Sequence, residues 1–140
     1  MKIVVSPNPY RDKQFKNARQ ACSILREAGA EVALCLPFDV DKTFEIPHDL
    51  RFQDIQKEIK TADMLICFGG DGTILHSSKI ATEHNLPILG VNIGTMGFIA
   101  ELEAGEIELL RKIPKGDYTV EERTMLDVSV GNGRQTIFHE

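Results

Sequence analysis

The segment CFGGDGTI, from Cys67 to Ile74, places three glycines around one carboxylate directly after an apolar run. Gly69, Gly70 and Gly72 lack Cβ atoms, so the backbone can approach a bulky anion closely, adopt positive φ angles and turn its N–H groups toward the anion. A helix after this segment would add the partial positive charge of its N-terminus. The pattern therefore predicts a phosphate-binding loop that needs no lysine.

Asp71 stands in the middle of these glycines, where a carboxylate would repel a phosphate unless it had another task. Accepting a proton from an attacking hydroxyl and holding a magnesium ion are two such tasks. The alternative is that Asp71 or Thr73 only caps the following helix. Because turn chemistry does not require three glycines in four positions, we favour a functional role. By itself the segment predicts a phosphate-binding loop with a nearby carboxylate.

A second glycine-containing segment, GVNIGTMGFIAEL, begins at Gly90. Its spacing matches neither the dinucleotide-binding GxGxxG pattern nor the P-loop. If both segments follow parallel strands, they open onto the same edge of the sheet. Asn92 and Thr95 could then offer hydrogen bonds to a ligand. Phe98 could offer an apolar face to a nucleobase, or it could belong to the ordinary core.

The remaining sequence supplies the elements that must position these segments. Apolar runs predict strands over residues 2–5, 32–36, 64–68 and 86–91, and apolar residues at steps of three and four predict helices over 12–28, around 52–59 and over 74–84. Alternation of strands and helices is typical of a parallel sheet with helical crossovers. We therefore predict an α/β fold with a Rossmann-like N-terminal domain.

The pattern changes near Gly116. Residues 126–130 alternate in polarity, and Gly131-Asn132-Gly133 resembles a hairpin turn that leads into residues 135–139. We predict an α/β domain over residues 1–100 that carries the GGDGT loop. Residues 101–140 then form a helix and the beginning of a β-rich domain, which we expect to be truncated.

Composition limits the classes of partner. The 140-residue chain has a net charge of −5 and no run of Lys or Arg, which argues against nucleic acid and anionic membranes as partners. No apolar run approaches the ~20 residues of a membrane span. Its three cysteines show no CxxC spacing, so we expect buried thiols, no resident metal site and a cytoplasmic location.

Four segments, GGDGT among them, carry a resemblance to the NAD kinase family, which phosphorylates the 2′-hydroxyl of the adenosine ribose of NAD. VSPNP resembles the opening loop of that family, GVNIGTMGFIAEL resembles its GVNxGxLGFL segment, and DYTVEERTMLDV resembles its Y-x-x-EER-x-x-L stretch. GGDGT alone is shared with lipid kinases and phosphofructokinases. The combination of segments is more specific than GGDGT.

The resemblance implies roles for several residues. Asp71 would be the catalytic base, and the backbone of Gly69, Gly70, Gly72 and Thr73 would cradle phosphates. The residues implied or considered for NAD binding are Asp71, Gly72, His76, Asn92 and Phe98. His76 could reach a diphosphate or could simply face solvent, and Arg11, Lys13 and Arg123 could meet phosphate or serve structure.

The implied substrates are NAD and ATP, with Mg²⁺ or another divalent cation, and we expect a homo-oligomer. The family pattern continues into a second half, so we expect this chain alone to be weakly active or inactive. The alternatives are a lipid or sugar kinase of the same GGDGT superfamily and a non-catalytic nucleotide-binding module.

Overall fold

The structure of the chain is a computed structural model that describes residues 1–94, 99–121, 124–130 and 133–139, the last two ranges by their strand backbone. The strands are β1 (Lys2–Pro7), β2 (Glu31–Leu34), β3 (Met64–Gly69), β4 (Ile88–Asn92), β5 (Leu102–Glu103), β6 (Thr124–Val130) and β7 (Gly133–His139). The α-helices are α1 (Lys16–Glu27), α2 (Ile55–Glu58) and α3 (Asp71–Glu83), and 3₁₀-helices cover Lys13–Phe15, Ile59–Thr61 and Ala104–Lys112. In the described part of the chain, no helix has the length and apolar character needed to cross a bilayer.

Strands β1 to β5 form one sheet in the order β2-β1-β3-β4-β5, and every neighbouring pair is parallel. The predicted α/β fold with a parallel sheet is therefore confirmed. The chain leaves β1 for β2 on one side and later returns to add β3 on the other, so the connections after β1 and β3 diverge. In parallel sheets such a point, at the carboxyl ends of the strands, is where ligands bind.

The sheet is covered on both faces. Strand β3 is buried along its whole length, which is why its sequence is uninterrupted apolar residues. One face packs against α1 and the 104–112 helix, and its fully buried side chains include Ile3, Val5, Leu25, Ile66, Phe68 and Leu110. The other face packs against α2, α3 and the 59–61 helix through Val4, Ile59, Leu65, Ile80 and Ala81.

Helix α1 presents the predicted apolar face to this core: Phe15, Ala18, Cys22 and Leu25 are all buried. It begins later than predicted because Gln14 and Phe15 adopt left-handed conformations, with φ angles of 55° and 56°. Asp12 precedes these two residues, and its buried carboxylate accepts hydrogen bonds from the backbone N–H groups of Asn17 (3.0 Å) and Ala18 (2.9 Å). A side chain outside the helix thus satisfies its first amides.

Helix α3 lies unusually close to the sheet at its N-terminal end. A Cβ atom on Gly69 would lie 2.5 Å from Thr73 Oγ1, and one on Gly90 would lie 2.8 Å from Ile74 Cδ1. The helix begins at Asp71, with Gly70 as its N-cap, rather than at Ile74 as predicted. The GGDGT glycines do not use the positive φ angles that glycine permits, which among the described glycines only Gly29, Gly94 and Gly116 adopt.

We expect the substitution Gly69→Ala to lower the free energy of unfolding by about 1–3 kcal/mol, the usual cost of overpacking. The new methyl group would overlap the Cβ of Thr73, at 2.6 Å, which the helix backbone holds in place. Urea unfolding measures the change. Gly105→Ala is the matched control, because a Cβ there meets nothing within 4 Å, and a loss of stability equal to that of Gly69→Ala would contradict the packing argument.

All three cysteines are buried and unpaired, as predicted. Burial raises the pKa of Cys22 to about 11 and the pKa values of Cys35 and Cys67 to about 12, from an ordinary value of 9.0. The folded chain therefore keeps protons that the unfolded chain releases above pH 9.

This difference gives the direction of a pH effect. The stabilisation is complete below pH 9 and is lost as the pH rises toward 11 to 12. We expect the free energy of unfolding to fall between pH 8 and pH 10 by on the order of 1 kcal/mol per thiol. Urea unfolding at both pH values tests this, and a triple Cys→Ala variant that loses as much stability over this range would contradict it.

Strands β6 and β7 form an antiparallel hairpin from Thr124 opposite His139 to Val130 opposite Gly133. The predicted pairing of these two strands is confirmed, both strands begin two residues earlier than expected, and the predicted turn at Gly131-Asn132 lies outside the described residues. Strand β5 and the 104–112 helix were not predicted as parts of the N-terminal unit, yet they join its sheet and core. The division of the chain at residue 100 stays a prediction.

Candidate active site

A pocket of about 450 Å³ opens at the carboxyl edge of the sheet, between the loop after β1 and the start of α3. Its lining residues are Asn8, Arg11, Phe38, Gly70, Asp71, Gly72, Thr73 and His76. Four of the eight belong to the GGDGT segment. The structure therefore brings this segment to an open pocket at the edge where parallel sheets bind ligands.

Asp71 is the first residue of α3, and its half-buried side chain lines the pocket. The N-cap of the helix is Gly70, so neither Asp71 nor Thr73 occupies the position that the capping alternative would give it. Asp71 Oδ1 accepts a hydrogen bond from the backbone N–H of Ile99 at 3.3 Å, which joins the loop after β4 to this carboxylate. An oriented carboxylate beside a pocket is the geometry that a general base requires.

The three glycines of the motif differ in what surrounds them. Gly70 and Gly72 line the pocket, and a Cβ on either would meet nothing within 4 Å, so their missing side chains leave open space for a ligand. Gly69 is buried in β3 and does not line the pocket. A Cβ on Gly69 would overlap Thr73, so this glycine has a packing role, and its role in phosphate binding stays a prediction.

The first turn of α3 supplies the donors. Ile74 N donates to Gly70 O at 3.1 Å, so the first helical hydrogen bond closes there. The backbone N–H groups before Ile74 have no carbonyl one turn earlier in the helix, and they lie at the positive end of its dipole. An anion in the pocket would meet these groups, as anions do at helix N-termini.

Asn8 was not predicted from the sequence, although it holds the two sides of the pocket together. Its side-chain Nδ2 donates to Thr73 Oγ1 at 2.8 Å, and its Oδ1 accepts from Tyr10 N at 2.9 Å. Its backbone N–H donates to Phe68 O at 2.8 Å. An asparagine between two prolines, immediately after a strand that ends at the ligand edge, was the signal that could have identified it.

We expect Asn8→Ala to lower the free energy of unfolding by about 1 kcal/mol, because the hydroxyl of the buried Thr73 loses its partner. Thermal or urea unfolding measures the loss. Thr73→Val removes the same hydrogen bond from the other side, so the double variant should cost less than the sum of the two single variants. Strict additivity would show that this hydrogen bond does not join the loop to the helix.

His76 lies one turn into α3 with its side chain exposed to solvent, as one of the two alternatives predicted. It is nevertheless held in the pocket wall, because its Nε2 donates to Pro37 O at 2.9 Å and its ring packs edge-on against Phe38, with centroids 6.0 Å apart. Phe38 in turn stacks on Tyr10. This aromatic wall comes from the connection after β2, where the sequence indicated no function.

Asn92 is not among the described residues that line the pocket, and its contact with a ligand stays a prediction. It is the last residue of β4 and is buried beside Gly69, and its Nδ2 donates to Glu103 Oε2 at 3.0 Å. Arg11 lines the pocket and Lys13 does not. The predictions for Phe98, Thr95 and Arg123 fall on residues outside the described part of the chain.

A family model described as the ATP-NAD kinase N-terminal domain matches residues 2–118. The NAD kinase of Bacteroides fragilis is 32% identical over 130 residues, which cover 91% of this chain and 45% of that protein. The NAD kinase of Caldanaerobacter subterraneus is 35% identical over 130 residues, covering 92% and 44%. The chain thus spans less than half the length of these relatives.

A solved structure gives the same fold. The crystal structure of yeast NADH kinase complexed with NADH superimposes with a TM-score of 0.63 and 19% sequence identity, covering 99% of this chain and 46% of that one. The family model covers most of the chain and includes the sheet, the GGDGT loop and the pocket around it. The chain therefore belongs to the ATP-NAD kinase family, of which it carries the N-terminal domain.

Proposed function

We propose that the protein transfers the terminal phosphate of ATP to the 2′-hydroxyl of the adenosine ribose of NAD and so forms NADP. The observation that carries the proposal is the position of Asp71. Its carboxylate lines the pocket between Gly70 and Gly72, two residues that have no side chain to fill the space for a ligand. Membership of the family supports the reaction, and both relatives named above are NAD kinases.

In this reaction the 2′-oxygen of the ribose forms a bond to the γ-phosphorus of ATP, and the bond from that phosphorus to the β–γ bridging oxygen breaks, so ADP leaves. Asp71 accepts the proton of the hydroxyl. In a loose transition state this proton departs late, after the phosphoryl group has largely moved. The first turn of α3 and Arg11 stabilise phosphate charge, so that most of the catalysis is positioning and electrostatics.

We propose that Mg²⁺, or another divalent cation, enters with ATP as part of the substrate. Among the described residues, no group of three or more His, Cys, Asp or Glu side chains could hold a metal ion. Asp71 is the one acidic side chain among the residues that line the described pocket. Because Asp71 is assigned to the hydroxyl proton, the phosphates of ATP and water would supply most ligands of the cation.

We assign the ribose of NAD to Asp71 and Gly72, since both line the pocket and the base must reach the hydroxyl. His76 is proposed to contact the dinucleotide from the pocket wall, where its hydrogen bond to Pro37 orients the ring. Phe98 remains our candidate for an apolar contact with NAD. Gly70, Gly72 and Thr73 are assigned to phosphate binding through the backbone at the start of α3.

The test is a fusion of this chain to the C-terminal half of the Bacteroides fragilis NAD kinase, assayed with ATP. The acceptors are NAD, NADH, a diacylglycerol and a hexose phosphate. We expect NADP from NAD at ~1–100 s⁻¹, the usual range for kinases, and little or no product from the lipid or the sugar. We expect the unfused 140 residues to turn over more slowly than the fusion, since they span less than half the length of these relatives.

Each alternative gives a different result in this assay. Preferential phosphorylation of the diacylglycerol or the hexose phosphate would make the protein a lipid or sugar kinase. A folded fusion protein that binds ATP by calorimetry and phosphorylates none of the acceptors would make it a nucleotide-binding module. The NAD kinase relatives favour neither alternative.

We further propose a cytoplasmic location and an assembly of identical chains. Three buried cysteines without disulfides suit a reducing compartment. Sedimentation of the fusion protein tests the assembly, which a purely monomeric species at micromolar concentration would contradict.

A further inference from the structure

A second pocket, of about 430 Å³, opens between α1 and residues 49–53. The segment that forms its outer wall is attached to the edge strand β2, because Gln53 N donates to Leu34 O at 2.8 Å. None of the residues that line it also lines the pocket around GGDGT. It is therefore a separate concave surface, to which the proposed kinase reaction assigns no role.

The lining of this pocket carries positive charge in a chain whose net charge is −5. Arg19 and Arg26 come from α1 and Arg51 from the outer wall, and Asp49 is the one acidic residue that the described lining contains. Three guanidinium groups against one carboxylate leave two positive charges. Such a concentration attracts anions over short distances, whatever the overall charge of the protein.

The three arginines are not equivalent. Arg19 is held in place, because its Nε donates to Gln14 O at 2.9 Å and its two terminal nitrogens donate to both carboxylate oxygens of Asp49. The side chains of Arg26 and Arg51 are exposed, and within the described residues no carboxylate lies within ion-pair distance of either. These two groups keep their donors for a ligand.

The floor of the pocket is apolar. Cys22 and Leu34 are only 5% and 6% exposed, and Leu50 covers them from the outer wall. The thiol contributes no negative charge at neutral pH, since burial raises its pKa to about 11. A concave apolar floor with a few polar groups around it is the usual form of a small-molecule site.

We propose that this pocket binds a small anion with at least two negative charges, a phosphate or a carboxylate compound, between Arg26 and Arg51. Guanidinium groups suit such ligands because their planar donors match two oxygens at once. Arg19, fixed by Asp49, forms the adjoining wall. This proposal does not depend on the kinase activity and is tested without it.

The experiment measures the melting temperature of the 140-residue chain against increasing inorganic phosphate, and separately against succinate, at constant ionic strength maintained with NaCl. A ligand at ten times its Kd should raise the melting temperature by about 5 °C. The double substitution Arg26→Gln and Arg51→Gln should abolish most of the rise. Lys16→Gln is the matched control, because Lys16 is exposed on α1 and lines neither pocket, whereas Arg11→Gln tests whether the response comes from the pocket around GGDGT.

Asp49→Asn provides the opposite change. It removes the carboxylate from the lining, so the rise in melting temperature per millimolar anion should increase. A larger rise with phosphate than with succinate, or the reverse, identifies the ligand class. The proposal is overturned if neither anion exceeds NaCl, if the double variant responds like the unchanged chain, or if Arg11→Gln removes the response instead. Should the double variant fail to fold, an Asp49→Asn response no larger than that of the unchanged chain overturns it.

Discussion

Replacement of Asp71 by asparagine is expected to reduce NADP formation by the fusion protein by about 10²–10⁴-fold, the usual contribution of a general base. The amide keeps the shape of the side chain and its acceptor for the N–H of Ile99, so the fold should be unchanged. Because an amide cannot accept the hydroxyl proton at neutral pH, the loss should appear in kcat. The measurement is steady-state NADP formation with saturating ATP and NAD.

The same substitution should strengthen the binding of ATP in the absence of divalent cations. A carboxylate beside the phosphates repels them, and its removal is worth about 1 kcal/mol at a partly solvated site, or several-fold in Kd. Asp117→Asn is the control, since Asp117 is exposed and does not line the pocket. Unchanged turnover in Asp71→Asn would remove Asp71 from the mechanism, and unchanged ATP affinity would show that the phosphates lie elsewhere.

Gly70→Val should weaken ATP binding by at least about tenfold, or ~1.4 kcal/mol, while it leaves the melting temperature nearly unchanged. Gly70 has φ −99° and ψ −170°, an extended conformation that valine adopts readily. Its side chain would enter open space, because a Cβ there meets nothing within 4 Å, and that space is the pocket. Calorimetric titration with ATP and a thermal melt measure the two effects on the 140-residue chain.

The contrast with Gly69 makes this prediction specific. Gly69→Ala should destabilise the fold because its Cβ overlaps Thr73, whereas Gly70→Val should spare the fold and block the ligand. Gly105→Val controls for the general effect of valine at an exposed glycine. If Gly70→Val binds ATP as tightly as the unchanged chain, the glycines of this motif do not admit phosphate.

The local features of the fold were predictable from the sequence. An uninterrupted apolar run can only be a buried strand or helix, and the glycines directly after β3 place GGDGT at the carboxyl edge of the sheet. The three- and four-residue spacing of apolar side chains similarly identified α1. Both signals are contained within one segment and do not depend on distant contacts.

The features that were missed depend on contacts between distant segments. Asn8 reaches Thr73 across the pocket, and Pro37 accepts from His76 although 39 positions separate them. Asn92 donates a hydrogen bond to Glu103, which lies in β5. This contact could not be predicted, because β5 has only two residues and leaves no alternating pattern in the sequence.

Residue type alone also does not reveal the role of a residue when that role depends on the residues packed around it. Gly69 and Gly70 are adjacent and identical in type, yet one lies under Thr73 and the other faces the pocket. In the same way, Phe38 belongs to an irregular connection, and its place in the pocket wall follows only from its packing against Tyr10 and His76.

The central claim is that the start of α3 gathers the phosphates of ATP beside Asp71. An amide ¹H–¹⁵N NMR titration of the 140-residue chain with ATP tests it most directly. We predict that the largest shifts fall on Gly70, Gly72 and Thr73, and that they disappear in Gly70→Val. If the amide signals of these three residues do not move and the largest changes fall elsewhere in the chain, the account is contradicted.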